Sequence, residues 1–310
     1  MGSRRPDDGA RGVTRSGPPS GAGRAPVRRR PAGTLTAMST PQGPTLRELA
    51  VQALSSTMRG YDLLAPKFDL TPYRTPDRVL DAVARAVRPL GPFDSGLDVC
   101  CGTGAGAGVL RGLCRRRVTG VDFSAGMLAV ARAAHADGGG GPAVDWVRAD
   151  ARALPFGPVF DLALSLGAFG HFLPRERPGL FAQVHASLRP GGSFVFPVGA
   201  PPEAGSRAYW AMLGFDGAMR VRNALWRPRF IMYYRTFPLA GVVDDLVAAG
   251  FGVRLLPLEE LGRRADGSPR ARLVVATRAR RRDRKADRPT ATGAYDTSRT
   301  MESQDEREPP

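Results

Sequence analysis

A short apolar run that leads directly into closely spaced glycines constrains the fold of this chain more than any other feature. Residues 97–106 read Leu-Asp-Val-Cys-Cys-Gly-Thr-Gly-Ala-Gly, and the residues after them have helical apolar spacing. The apolar run predicts a buried strand, and the glycines permit a tight turn with close approach of a ligand to the backbone. The sequence therefore predicts a strand, a turn and a helix of the kind found in several nucleotide-binding folds.

Strand and helix patterns alternate along the rest of the chain. We predict strands at 96–100, 117–123, 144–148, 160–166, 193–198, 251–256 and 272–277, and helices at 46–54, 78–87, 107–114, 124–134, 178–188 and 242–249. This alternation is typical of a parallel sheet with helices on both faces, and the helix-free link 259–270 predicts an antiparallel hairpin. The expected fold is α/β, a Rossmann-like three-layer αβα sandwich with a seven-stranded, mostly parallel sheet and a C-terminal antiparallel hairpin.

Composition separates the two ends of the chain from its centre. Residues 1–43 are rich in Gly, Pro, Ser and Arg, and residues 281–310 are polar and charged, so we expect both to be disordered. The predicted domain covers 44–280, with N-terminal helices that form a lid over 44–93 and a substrate-side insertion over 200–240. Met38 begins a more ordinary stretch and is an alternative start of translation.

The charge and the cysteines exclude some classes of protein. Much of the net charge of +16 falls in the two ends, so we expect no nucleic-acid binding. No apolar run is long enough to span a bilayer, and three cysteines give no disulfide framework, which fits a cytoplasmic protein. We also expect no metal site, and a homodimer is left open.

Acidic residues accompany three successive predicted strands. Asp98 lies inside the first strand, Asp122 ends the second, and Asp150 follows the third. Because parallel strands end at the same edge of a sheet, we expect these side chains to lie close together. A carboxylate at the position of Asp122 can bind both hydroxyls of a ribose, whereas a helix entry or a loop start would explain Asp122 or Asp150 without a ligand. We favour ligand binding for both.

Four further motifs follow a common order with the glycine turn. They are YDLLAPKFD (Tyr61 to Asp69), GVDFSAGMLAVAR (Gly120 to Arg132), ALPF (Ala153 to Phe156) and LRPGG (Leu188 to Gly192). The set resembles the class I S-adenosylmethionine-dependent methyltransferases, in particular the menaquinone/ubiquinone-biosynthesis C-methyltransferases and related small-molecule enzymes. The resemblance covers about 58–277. It departs from the family at Cys100, where Gly is commonest, and at 197–202, where the quinone enzymes differ.

The resemblance implies S-adenosylmethionine as the cofactor and a set of residues that contact it. Asp98 would approach the amino group of its methionine part, and Asp122 would hold its ribose. In the glycine turn, the implied contacts are Cys100, Gly102 and Gly104. The adenine pocket would be lined by Phe123, Met127, Asp150 and Ala151. Ser165 and Leu166 would lie near the sulfonium, and Tyr61 would cover the methionine end.

Two features bear on the acceptor. His171 follows the fourth strand and is either a general base or a structural histidine. Residues 209–237 hold eight of the aromatic side chains, which either line an acceptor pocket or attach this insertion to the sheet. We predict methyl transfer to a small, apolar or aromatic acceptor.

Three other functions fit parts of the pattern. Gly102, Gly104 and Ala107 match the G-x-G-x-x-A turn of an NAD(P)-dependent oxidoreductase, and Asp122 matches its distant acid. Asp98, Asp150 and the terminal hairpin argue against that function. A catalytically inactive nucleoside-binding or scaffold protein is a second alternative. RNA methylation would need a basic face on the folded core.

Overall fold

The computed structural model describes residues 43–136, 141–235 and 237–280. The expected disorder of 1–42 and 281–310 therefore lies outside the described residues. The helices are α1 (Leu46–Leu54), α2 (Thr57–Leu64), α3 (Asp77–Val87), α4 (Ala105–Arg111), α5 (Ala125–Ala134), α6 (Arg177–Ser187), α7 (Arg207–Leu225) and α8 (Leu239–Ala248). The strands are β1 (Phe93–Val99), β2 (Cys114–Asp122), β3 (Val144–Arg148), β4 (Phe160–Leu164), β5 (Leu188–Gly199), β6 (Phe251–Pro257) and β7 (Ala271–Arg278).

The seven strands form one sheet in the order β3-β2-β1-β4-β5-β7-β6. The first five strands are parallel, while β7 runs antiparallel to both β5 and β6. The predicted fold class is thus confirmed, including the antiparallel hairpin at the end. A true dinucleotide-binding Rossmann sheet has the order 3-2-1-4-5-6, so the insertion of β7 between β5 and β6 argues against a nicotinamide enzyme.

Apolar side chains from both faces of the sheet create the three layers. Leu97 and Val99 of β1 face one layer, which α6 and α8 complete with Phe181 and Leu246. The opposite face packs against α3 and α4, through side chains such as Val83, Leu110, Leu162 and Val275. Nearly continuous apolar strands such as β4 are expected when helices cover both faces.

The prediction for residues 107–122 was wrong at the helix end. The helix stops at Arg111, followed by Gly112 as its C-terminal cap, and Cys114 already begins β2 instead of ending the helix. The reason is packing: the Cys114 side chain is buried, and it lies so close to Gly96 of β1 that a Cβ there would be 2.8 Å from its Sγ. An apolar residue in a short run suits a buried strand as well as a helix.

Two helices were not predicted. Both α2 and α7 belong to segments expected to form a lid and an insertion, without assigned elements. Within α7 the apolar residues lie on both sides, with Met219 buried and Val221 exposed, so the segment has no single apolar face from which to assign a helix. Among the described residues, no helix combines the length and the apolar character needed to cross a membrane.

Candidate functional site

A cavity of about 910 Å³ opens where strands β1 to β4 end. Its floor consists of the residues that follow these strands, and α2, the turn after it and the segment after α7 provide the walls. The carboxyl edge of a doubly wound sheet is the usual ligand site of this architecture. The volume is at the upper end of the range for small-molecule sites, so it has room for two ligands side by side.

Most of the site residues predicted from the sequence line this cavity. They are Tyr61, Asp98, Cys100, Gly102, Asp122, Phe123, Met127, Asp150, Ala151, Leu166 and His171. Gly104 and Ser165 do not line it. The buried Ser165 hydroxyl instead donates to the carbonyl of Val99, 2.9 Å away, and so joins β4 to β1.

Asp98 lies at the inner wall of the cavity with one carboxylate oxygen unpaired. The residue is 1% exposed, and its Oδ2 has no hydrogen-bond partner among the described residues. Burial, opposed by a backbone N–H of Ala107 and aided by the nearby Asp122, raises the pKa of Asp98 from 3.8 to about 7. A buried carboxylate without a partner is costly, so this oxygen is suited to a cationic ligand group.

Gly106 explains how the chain brings a helix so close to Asp98. A Cβ on Gly106 would lie 2.5 Å from Asp98 Oδ1, closer than a real Cβ contact allows. Cys100 and Gly102 have left-handed φ angles of 59° and 52° in the preceding turn, and open space surrounds the position where Gly102 lacks a Cβ. The turn therefore presents bare backbone to the cavity.

Asp122 holds the turn and the start of the next helix together. Its Oδ2 accepts from the Gly102 N–H at 2.9 Å, and its Oδ1 accepts from the Ser124 N–H at 2.9 Å. Burial raises the pKa of this carboxyl, while these backbone donors oppose the shift. The Phe123 N–H also bonds to this carboxylate, which leaves about one of its four acceptor positions for a ligand hydroxyl.

Asp150 lies at the outer rim of the cavity and is paired with a neighbour. The guanidinium of Arg152 donates to Asp150 Oδ2 at 2.7 Å and also reaches Glu176 at 2.7 Å. The hydrogen bond from Arg152 lowers the pKa of Asp150, so this carboxylate stays ionised. Beside it, Ala151 and Met127 are buried and give the cavity an apolar wall.

Gly104 has a structural task that the sequence did not reveal. Its φ of 91° caps the start of α4, and a Cβ would lie 2.9 Å from both His135 and Trp146. His135, to which no role was assigned, has its Nε2 3.0 Å from the Gly104 carbonyl. Because a carbonyl only accepts, this Nε2 carries the proton, and His135 fixes the glycine turn from behind.

Tyr61 and His171 form a partly buried pair in the wall of the cavity. The Tyr61 hydroxyl lies 2.8 Å from His171 Nε2, and His171 Nδ1 lies 2.6 Å from the carbonyl of Ile231. The carbonyl fixes the tautomer: Nδ1 donates, so neutral Nε2 accepts from Tyr61. Burial lowers the pKa of His171 and raises that of Tyr61, so both are neutral at pH 7.

Carboxylates of the segment Tyr61 to Asp69 attach it to the cavity edge. Asp62 Oδ1 accepts from the Ser124 hydroxyl at 2.5 Å and from the Gly126 N–H at 2.9 Å. Asp69 Oδ1 accepts from the Thr103 hydroxyl at 2.7 Å. Sequence reasoning singled out this segment but assigned only Tyr61; the two acids in the same motif were the available signal.

The aromatic segment 209–237 contributes less to the cavity than its composition suggested. Of its rings, Tyr234 lines the cavity, while Trp210 and Trp226 are 60% and 49% exposed. Further apolar or aromatic residues of the wall are Phe68, Tyr73, Phe172, Ile231 and Met232, and further polar ones include Arg74, Thr75 and Arg229. No cluster of three or more His, Cys, Asp or Glu within the described ranges could hold a metal ion.

Comparison with known proteins identifies the central segment. Residues 97–192 match the family model described as "Methyltransferase domain". A 2-phytyl-1,4-naphtoquinone methyltransferase of Thermosynechococcus vestitus is 36% identical over 101 residues, which are 31% of this chain and 42% of that protein. The O-methyltransferase cnsE of Penicillium expansum is 36% identical over 100 residues, which are 32% of this chain and 36% of that protein. The chain thus spans less than half the length of these curated relatives.

A solved structure shows a similar fold over a longer range. The [4+2]-cyclase SpnF has a TM-score of 0.50 and 18% identity, covering 74% of this chain and 98% of its own. At that identity the likeness concerns the fold alone.

Proposed function

We propose that this chain, whose residues 97–192 are a methyltransferase domain of class I, transfers a methyl group from S-adenosylmethionine to a small-molecule acceptor. The observation that carries the proposal is the unpaired Oδ2 of Asp98, buried on the wall of a cavity. A cationic group such as an ammonium can pair with such an oxygen when the carboxyl is ionised. The amino-acid end of S-adenosylmethionine provides one, and its ribose would reach Asp122 along the same edge of the sheet.

The residues present fit the rest of this cofactor. Asp122 would accept from the ribose hydroxyls, while Phe123, Met127 and Ala151 supply apolar contacts for a flat base. Asp150 lies beside them, where its carboxylate can accept from an exocyclic amino group. We infer that, of the predicted lid 44–93, α2 and the turn after it cover this end, since Asp62 and Asp69 attach them to the edge of the cavity, whereas α3 packs against the sheet.

S-adenosylmethionine supplies an electrophilic methyl group on a good leaving group, so the protein has mainly to position the acceptor. Alignment of the reacting atoms lowers the barrier by up to about 7–11 kcal/mol. The cavity end lined by Tyr61, Tyr73, Phe172 and Met232 would hold the acceptor. Its apolar, aromatic walls favour an acceptor of the same character.

His171 would act as a base through Tyr61. Its Nε2 is occupied by the Tyr61 hydroxyl, so an acceptor hydroxyl would pass its proton to the Tyr61 oxygen as Tyr61 passes its own to His171. Removal of either group, by Tyr61→Phe or His171→Asn, should lower kcat by about 10²-fold or more. An unchanged kcat in both variants would show that the pair is only structural.

Calorimetric titration of the full-length protein tests the proposal. We expect one S-adenosylmethionine per chain and no binding of NADH or NADPH. Binding of a nicotinamide nucleotide without S-adenosylmethionine would support the oxidoreductase instead, and binding of neither would favour a scaffold without a nucleoside ligand.

A further inference from the structure

Helix α7 has two faces with different tasks. Its inner face attaches the segment 230–235 to the domain: Asp216 accepts from the backbone N–H groups of Tyr234 and Arg235, at 2.8 and 3.2 Å. Asn223 exchanges hydrogen bonds with the backbone of Phe230 at 3.1 Å in both directions. These contacts hold part of the cavity wall and account for the buried residues of the helix.

The outer face of α7 is an apolar stripe exposed to solvent. Trp210, Gly214, Ala218, Val221 and Leu225 follow one another at spacings of three or four residues, which places them on one side of the helix. Trp210 and Val221 are each 60% exposed, and Leu225 is 70% exposed. Contiguous exposed apolar surface of this kind marks an interaction site more often than an ordinary surface.

Arginines outnumber acids around the stripe, where the exposed acid nearest to its start is Glu203. Between residues 204 and 235 the sequence has six arginines: Arg207, Arg220, Arg222, Arg227, Arg229 and Arg235. The single acid in this range is Asp216, which is buried and bonded to the backbone. The surface is therefore apolar along its centre and positively charged around it.

The stripe adjoins the mouth of the cavity. Arg222 donates to the carbonyl of Ser55 at 3.1 Å, which places the C-terminal turn of α7 against the junction of α1 and α2. Leu54 and Met58 on either side of this junction are 52% and 43% exposed. Met58 and Arg229, the latter just beyond the end of α7, both line the cavity.

We propose that the outer face of α7 docks on an anionic lipid bilayer. A surface with arginines around apolar side chains and tryptophans near its ends matches the interface between lipid headgroups and acyl chains. A second copy fits less well, because its arginines would meet these arginines with only Glu203 as an exposed acid beside the helix. If the proposed function holds, an apolar acceptor would enter the cavity directly from the lipid.

Sedimentation of the full-length protein with vesicles tests this surface. We expect binding to vesicles of phosphatidylcholine with phosphatidylglycerol, weak binding to phosphatidylcholine alone, and a blue shift of tryptophan emission from Trp210 and Trp226. The double variant Val221→Ser/Leu225→Ser should bind at least about tenfold more weakly, since two buried apolar side chains are lost. Val247→Ser, at a residue of α8 that is 56% exposed, is the matched control.

A charge comparison separates this surface from the basic ends of the chain. The variant Arg207→Glu/Arg227→Glu should lose binding to anionic vesicles. The control variant Arg116→Glu/Arg254→Glu changes the net charge by the same amount at exposed positions of β2 and β6, and it should retain most of the vesicle binding.

Three results would overturn the proposal. They are no vesicle binding at low salt, equal losses in the stripe and control variants, or a concentration-dependent dimer that Leu225→Ser abolishes. The affinity for S-adenosylmethionine, measured by titration, does not depend on whether this surface binds vesicles. Failure of the docking surface is therefore distinct from failure of the proposed activity.

Discussion

At the scale of single residues, Asp98 connects the stability of the protein to its ligand. Its folded-state pKa of about 7 lies above the ordinary aspartate value of 3.8, because burial disfavours the charged form. The folded protein therefore takes up a proton at Asp98, and the stabilisation by this proton is lost as the pH rises through 7. A cationic ligand group that pairs with the ionised carboxylate offsets the free-energy cost of burying its charge.

The substitution Asp98→Asn should separate these two effects. At pH 8 we expect the unliganded variant to melt a few degrees higher than the wild type, with little difference near pH 4. We expect its affinity for S-adenosylmethionine to fall by about 10- to 100-fold, the effect of losing a hydrogen bond to a charged group. Thermal melts and calorimetry measure both quantities, and Asp81→Asn on the exposed side of α3 is the control.

The wild-type affinity should also depend on pH in a defined direction. Since the proton on Asp98 must leave before a cation binds, affinity should fall by up to about tenfold per pH unit from 7 down to 5. An affinity for S-adenosylmethionine that is constant over this range in the wild type would contradict the pairing.

At the scale of elements, a few polar contacts attach α2 and the turn after it to the edge of the site, beside the buried Leu64 and Ala65. Asp62 reaches the start of α5, Asp69 reaches the glycine turn, and Tyr61 reaches the loop after β4. An element held by a few hydrogen bonds at the edge of a domain opens at lower free energy than the core. This is the property that a lid requires.

The variant Asp62→Ala should loosen this lid. Loss of its bonds to Ser124 and Gly126 should speed the dissociation of S-adenosylmethionine by about tenfold, with a smaller effect on association. Stopped-flow displacement measures the rate, and Asp81→Ala is the matched control. Dissociation at the wild-type rate would mean that α2 does not cover the bound cofactor.

The elements also show what the sequence can and cannot predict. Strand β4 is apparent because its apolar residues are nearly contiguous, and the N-cap Ser124 marks the start of α5. The end of α4 was misplaced because Cys114 suits a helix or a strand until its contact with Gly96 is known. Helix α7 was not predicted because its apolar residues lie on both its outer and inner sides and form no single apolar face in the sequence.

At the scale of the whole molecule, the candidate site is a property of the sheet order. Asp98, Asp122 and Asp150 come from β1 and from the ends of β2 and β3, which are neighbours in the sheet, and the sequence alone predicts that they meet. The partners that fix these residues were not predictable, since Gly102 and Ser124 donate through the backbone and Asp62 comes from a distant helix. Such contacts depend on three-dimensional positions that carry no local pattern.

A crystal structure of the full-length protein with S-adenosylhomocysteine tests the central claim most directly. The account predicts that the ligand amino group lies within hydrogen-bond distance of Asp98 Oδ2, that the ribose hydroxyls contact Asp122, and that the adenine lies beside Phe123, Met127 and Asp150. A nucleoside bound elsewhere, or one bound in this cavity with Asp98 Oδ2 still unpaired, would contradict it.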